Sequence, residues 1–232
     1  MAKPGRHLEG AQTRERILSV AASLLAQQGY AATSISQICR AADALPASIY
    51  WAFGSKEGLF AAVMEREAEV FFEALPAIRP GDPSADTDQL ADVFEARPEF
   101  LRLLLVLSLE RRDGDPAILE AARRVRGRAI DHIAATLEPS VVLSDRARAR
   151  VVCRDVARFA LMLLDGAFIA RQIDPGSADS RELFRTIGTG MRAMLDHLTA
   201  QAQAGKPAAA LDHLTAQAQA GKPVAARTRR KS

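Results

Sequence analysis

Apolar positions recur along this chain at intervals of three and four, the spacing of one face of an α-helix. Ile17, Val20, Ala21, Leu24 and Leu25 form the first such face and predict a helix from an N-cap at Thr13 to a stop at Gly29. A short second helix follows Thr33, with Ile35 and Ile38 turned inward. After a turn around Asp43, Pro46 opens a third helix, where its missing N–H is no loss. Ser55 caps a fourth, which points Leu59, Phe60, Val63 and Met64 at the core and ends before Pro76. The stretch PAIRPGDPSAD then reads as a loop. Beyond it the pattern predicts helices over Thr87–Ala96, Pro98–Arg111, Pro116–Leu137, Asp145–Gln172 and Asp179–Ala202, with Asp115 and Ser144 as further caps. Runs of alternating β-branched residues are missing, so the expected class is all-α. The expected organisation is a flexible arm over 1–12, a compact three-helix module over 13–60, a helical body over 61–203 and a tail over 204–232.

The segment VARFALMLLDGAFI, Val156 to Ile169, is apolar almost all the way round. A helix at the surface of a monomer is polar on one side, so this one either packs on a second subunit or is buried wholly within one. The first reading is the expectation. It assigns Leu161, Leu164 and Phe168 to a dimer face, with Ile187, Met191, Met194 and Leu195 of the last helix.

Composition narrows the classes. Hydrophobic residues at 48% and charged residues at 25% are ordinary for a soluble chain. The net charge of +3 permits a nucleic-acid partner without demonstrating one, since much of the excess lies in Arg227, Arg229, Arg230 and Lys231. MAKPGRHLEG lacks the apolar core of a signal peptide, and Leu103–Leu107 is too short to cross a bilayer, so the expectation is a cytoplasmic protein with no membrane partner. Cys39 and Cys153 make no disulfide framework and are expected in helical core. LDHLTAQAQAGKP occurs twice, at 195–207 and 211–223, too few copies for a solenoid. Gly188-Thr-Gly190-Met-Arg-Ala193 imitates a dinucleotide fingerprint but lies in a helical pattern with no preceding strand. His7 and His132 have no nucleophile or ligand set around them, and His197 and His213 merely recur with the repeat. No catalytic residue, metal or cofactor is therefore assigned, and the chain is read as a non-enzyme.

Thr33 to Phe60 carries the most information. Two short helices joined by a tight turn bury little surface alone, and such a module serves to present one helix to a partner. The third helix would lie in a major groove, with Pro46, Ala47 and Ser48 near base edges, and Leu45 just ahead of it is counted among the DNA-binding residues. Ser48 can donate or accept there, while the Tyr50 hydroxyl and Trp51 indole N–H suit phosphates. Thr33, Ser34 and the start of the second helix could hold another phosphate, and Lys56 one more beside free backbone N–H groups. Ile49 and Phe53 pack inward. The competing structural readings are that Thr33 and Ser55 are only caps, and that Tyr50 and Trp51 lie under the fourth helix. Lys3, Arg6 and His7 form either a minor-groove arm or a solvated tail.

Ile17, Ala21, Ala22, Gly29-Tyr30, Thr33-Ser34, Ile38, Ala42, Ser48-Ile49-Tyr50, Phe53, Ser55-Lys56-Glu57 and Leu59 together resemble the tetracycline-repressor-like (TetR) family of bacterial transcriptional regulators. The likeness is specific over roughly 13–63 and looser over the body, where DGAFIARQID looks like the family's dimerising domain. It implies a helix-turn-helix domain on double-stranded DNA, a homodimer, and repression relieved by a small-molecule effector. The effector would lie between body helices, with Phe94, Leu104, Leu107, Phe159, Met162 and Phe168 as candidate lining and the fourth helix as the coupling element. A helical sensor of the same fold without DNA activity is the alternative. The chain departs from the family's Ala-Gly-Val-Ser turn, which here is Ala42-Asp43-Ala44-Leu45. Leu45 cannot cap, a loss of about 0.5–2 kcal/mol, and Ala52 stands where His or Tyr is common. Arg146, Arg150, Arg154 and Arg158 make a stripe that reads as solvated and paired with neighbours such as Asp155, or else as an anion site.

Overall fold

The computed structural model describes residues 4–76, 86–109, 116–174 and 179–205, with side-chain positions for all of these except 4–9, 99, 106, 108 and 109. Among the described residues nine α-helices follow one another: α1 (Pro4–Ala32), α2 (Ile35–Ala41), α3 (Pro46–Phe53), α4 (Lys56–Ala74), α5 (Thr87–Ala96), α6 (Pro98–Leu109), α7 (Pro116–Leu137), α8 (Arg146–Ile173) and α9 (Ser180–Gln203). A 3-10 turn, Glu138–Ser140, follows α7. No strand occurs among these residues, so the class is the all-α one expected.

The helix ends are where expectation and structure differ. Residues 4–12, read as a flexible arm, are helical, so Thr13 lies inside α1 and caps nothing. Nothing in that polar stretch stops a helix once Pro4 has set its first φ. Gly29 does break α1, at φ 77°, ψ 179°, a backbone region that only glycine enters freely. Ser34, and not Thr33, caps α2: it forms a reciprocal box with Gln37, the backbone N–H of Ser34 donating to Gln37 Oε1 at 2.8 Å. Asp145, and not Ser144, caps α8, its Oδ1 accepting from the N–H groups of Ala147 and Arg148. Ser55 and Asp179 cap α4 and α9 as expected or within one residue of it. Lys3, Arg111, Asp115, the second repeat copy, residues 227–231 and most of the 76–86 loop lie outside the described residues.

One continuous apolar core runs from the first helices into the body. Ile17, Leu18 and Leu25 of α1 meet Ile38, Ile49, Leu59, Phe60, Val63 and Met64, and the same cluster takes in Phe100, Leu103, Leu104 and Leu107 of α6 and Ile118 and Val125 of α7. The 60/61 division of the sequence reading therefore falls inside α4. A second cluster holds α7, α8 and α9 together through Leu137, Val152, Val156, Leu195 and Leu198. Both cysteines are buried. Burial foremost, and the charge of Glu138 after it, push the Cys153 thiol up to about 11.

Arginines supply the outer ties. Arg124 pairs with Glu65 at 2.6 Å and Arg128 with Glu69 at 3.9 Å, two rungs between α7 and α4. Arg66 of α4 reaches Glu15 at 2.6 Å and Ser19 on α1. In the α8 stripe, Arg150 pairs with Glu138, Arg154 with Asp131 and Arg158 with Asp155, the paired arrangement the sequence favoured over an anion site.

The side chains expected on a dimer face of α8 and α9 have the following places in the protomer. Leu161, Leu164, Phe168, Ile187 and Met191, given above to a dimer face, are among the residues that line a cavity in the body. Leu195 is buried in the second core and Met194 packs against it. The apolar side chains that face out are Met162, Leu163, Ile169 and Ile173, at 48%, 36%, 43% and 80% exposure. They fall on one stripe at helical spacing, with Gly166 between them. In a helix apolar all round, periodicity cannot say which stripe faces in; packing decides it.

Candidate nucleic-acid interface

The third helix is mounted from behind and bare in front. Ile49 is fully buried and Phe53 packs against the same core, so both side chains expected to anchor α3 do so. On the other face Leu45 is 72%, Tyr50 52% and Trp51 91% exposed, and Pro46 and Ala47 are exposed as well. Tyr50 and Trp51 are thus not under α4. A tryptophan left almost wholly in water, beside an exposed tyrosine and leucine, marks a surface meant to be covered. Ser48 is half-buried between the two faces.

Pro46 stands at the start of α3, and Leu45, the N-cap, makes no side-chain hydrogen bond, as its chemistry requires. The turn before it is held differently. Asp43 takes the left-handed conformation at φ 45°. Arg16 of α1 donates from Nε to the Ala42 carbonyl at 2.7 Å and from Nη2 to that of Asp43 at 3.5 Å. Arg16 was not singled out from sequence, because nothing in its local pattern says that it bridges 26 residues. Arg14 lies 5.2 Å from the centre of the Phe53 ring, and Arg40 is exposed in the last turn of α2.

Thr33 is buried, and its hydroxyl donates to the Gly29 carbonyl at 2.7 Å, so it secures the α1–α2 corner rather than facing out. Ser34 keeps a more open position, with its hydroxyl 3.0 Å from that of exposed Ser36. Lys56 donates to the Tyr30 carbonyl at 3.3 Å and lies over the rings of Tyr30 and Phe60. Tyr30 in turn donates to Glu57 at 2.9 Å. Lys56 therefore locks the end of α1 to the start of α4 from a half-buried position next to the end of α3. Sequence reasoning also missed Gly58. A β-carbon there would stand 2.1 Å from the Phe53 carbonyl oxygen, so the α3–α4 junction closes only around glycine.

The profile of the family described as bacterial regulatory proteins, tetR family, matches residues 17–63, which span this whole arrangement. The transcriptional regulator AcrR of Shigella flexneri is 34% identical over 127 residues, covering 50% of this chain and 58% of that protein. Over this module the chain is similar to the tetR family. A second relative, the Streptomyces coelicolor transcriptional repressor SCO4008, is 35% identical over 98 residues, covering 42% of this chain and 50% of that one. The chain thus aligns with between half and three-fifths of the length of these curated relatives. The fold is shared more widely: a transcriptional regulator from Rhodococcus sp. Rha1 superimposes with a TM-score of 0.62 at 16% identity, over 79% of this chain and 96% of that one. A tetR-family regulator from Streptomyces coelicolor gives 0.60 at 18% identity, over 90% and 98%.

In the body of the fold, a cavity of about 120 Å³ opens between the C-terminal end of α4 and helices α5 to α9. Phe71, Phe72, Phe94, Phe100, Phe168 and Phe184 give it an aromatic wall, with Phe71 stacked on Phe100 at 4.8 Å. Its charged lining residues, Arg126 and Asp165, pair with each other at 2.8 Å. Of the candidate lining residues, Phe94, Leu104 and Phe168 are on its wall. Leu107 is buried in the first core, Phe159 packs towards Gly190 of α9, and Met162 faces outward. No helix among the described residues is long and apolar enough to cross a membrane.

Proposed function

We propose that this chain is a DNA-binding transcriptional regulator, acting as a homodimeric repressor of a palindromic operator and released by a small molecule. The observation that carries the reading is the bare outward face of α3, within a module whose sequence matches the tetR family. Leu45, Pro46, Ala47 and Ser48 meet base edges, while Tyr50, Trp51, Lys56 and Ser34 hold phosphates and set the register. Thr33 contributes by fixing the corner that aims α2. The name of the Streptomyces relative supports repression.

Two half-sites need two reading helices, and the stripe of Met162, Leu163, Gly166, Ile169 and Ile173 is the face on which a second copy would pack. Its apolar exposure supports that role. The aromatic cavity is the effector site: its wall favours a largely apolar molecule, and the Arg126–Asp165 pair gives its polar end one place to engage. Phe71 and Phe72 belong to α4 and Leu75 caps its C-terminus, while Ser55 and Lys56 stand at its other end beside the reading helix. An effector with different affinity for two settings of α4 would shift operator binding, and a coupling of about 1–3 kcal/mol is enough for one or two orders of magnitude.

The test is capture of genomic fragments by the purified chain, followed by sequencing of the retained DNA. A shared palindrome is the expected result. A folded dimer that enriches nothing at low salt would leave the body as a small-molecule sensor without DNA activity. On a captured operator, Lys56→Ala is expected to lower the slope of log affinity against log salt by about one phosphate unit, roughly 0.9. An unchanged slope would confine Lys56 to its bond with Tyr30.

A further inference from the structure

In a major groove, base identity is read by a short list of side chains: Arg or Lys on guanine, Asn or Gln on adenine, Glu or Asp on cytosine, and apolar groups on the thymine methyl. The outward face of α3 has none of the first three kinds. Its exposed positions from the cap onward are Leu45, Pro46, Ala47, Tyr50 and Trp51, and its polar atoms are the Ser48 and Tyr50 hydroxyls and the Trp51 indole N–H.

The charged groups nearby do not change this. Arg16 is tied to the carbonyls of Ala42 and Asp43, Arg14 lies over Phe53, and Lys56 is bonded to Tyr30. Arg40 belongs to α2, the helix that crosses the phosphate backbone in this kind of motif. Asp43 lies in the turn, ahead of the cap. Cations therefore flank the reading helix where phosphates would pass, while the end aimed at the bases is aliphatic. Leu45 adds a second indication. It forgoes the side-chain hydrogen bond that a serine would make to α3, and stands largely in water. Both costs are offset if the complex covers it with apolar atoms.

We infer that the protein reads its operator by contact of Leu45 and Ala47 with thymine C5-methyl groups, so that thymine and not guanine identifies each half-site. The inference rests on the DNA-binding reading above and specifies the chemistry of that same partner.

The experiment is selection from a pool of randomised duplexes by the purified full-length chain at low salt. The winning duplex is then remade with deoxyuridine for thymidine at each fixed position in turn, which deletes the methyl and keeps the pairing. Thymines outside the fixed positions serve as controls. The expected result is a consensus fixed at thymines and an affinity loss of about fourfold for each methyl that is covered. Leu45→Ala is expected to bind the thymine and uracil versions of its own contact position alike. A consensus fixed mainly at guanines, or uracil duplexes bound as tightly as thymine ones, overturns the inference and leaves DNA binding standing. A folded dimer that enriches no duplex overturns the DNA-binding reading and the inference with it.

Discussion

Gly58→Ala is expected to lower the melting temperature by roughly 10 °C and to abolish duplex binding. The added methyl would stand 2.1 Å from the carbonyl oxygen and 3.3 Å from the carbonyl carbon of Phe53. Both are backbone atoms, so no rotamer change relieves the overlap. Either the last turn of α3 or the first turn of α4 must open, and the Gly58 N–H to Ser55 Oγ bond of 2.9 Å goes with it. Overpacking of this kind costs about 3 kcal/mol, and a chain of this size loses roughly 2–4 °C for each kcal/mol. Gly127→Ala is the control: it lies inside α7 with nothing within 4 Å of the new methyl, and alanine is the better helix former by about 1 kcal/mol. Thermal melts followed by circular dichroism decide the matter. If the two variants melt alike, the close approach of α4 to Phe53 is not real.

Ile169→Asp is expected to turn the proposed dimer into a monomer that still folds. Ile169 is 43% exposed in the protomer, so a carboxylate there meets water and costs the fold little. Across a two-fold interface the same change buries two like charges on a self-complementary face, a penalty of several kcal/mol. Sedimentation would show the mass halved, with the helical signal unchanged. Affinity for a two-half-site duplex should fall by at least two orders of magnitude, because the second half-site is then bound as a separate event. A variant that stays dimeric would show that the second copy packs elsewhere.

The order and type of the helices were legible because each depends on nearby residues. Pro46, Pro98 and Pro116 stand where helices open, and α5 and α7 begin and end at the residues the periodicity gave. The caps of α2, α4, α8 and α9 were legible to within a residue, while Thr13, expected to cap α1, lies well inside it. Thr33 and Ser34 are alike in type, and it is the Gln37 side chain that decides which of them closes the box. The face of α8 was not legible. When nearly every position is apolar, Leu161 and Leu163 are equal candidates for the inside, and only neighbouring helices separate them. The inward-facing members of the module, Ile49 and Phe53, followed from spacing around one short helix, while the bareness of Tyr50 and Trp51 was one of two open readings until α4 was placed. Arg16 and Gly58 did not, because their roles are contacts between elements: one reaches a turn across 26 residues, and the other makes room for a carbonyl.

Helix α4 has 19 residues, about 28 Å of rod at 1.5 Å per residue. One end is part of the cavity wall and the other abuts α3, so the proposed effector would work with a long arm. A tilt of roughly 5° about one end displaces the other by about 2.5 Å over such a length, most of a hydrogen-bond distance. Arg66 ties α1 to this rod, so the first helix swings with it rather than absorbing the motion. In a two-fold pair the displacements add across the axis. A shift too small to notice at the phenylalanines would thus spoil the fit of two helices into grooves one helical repeat apart.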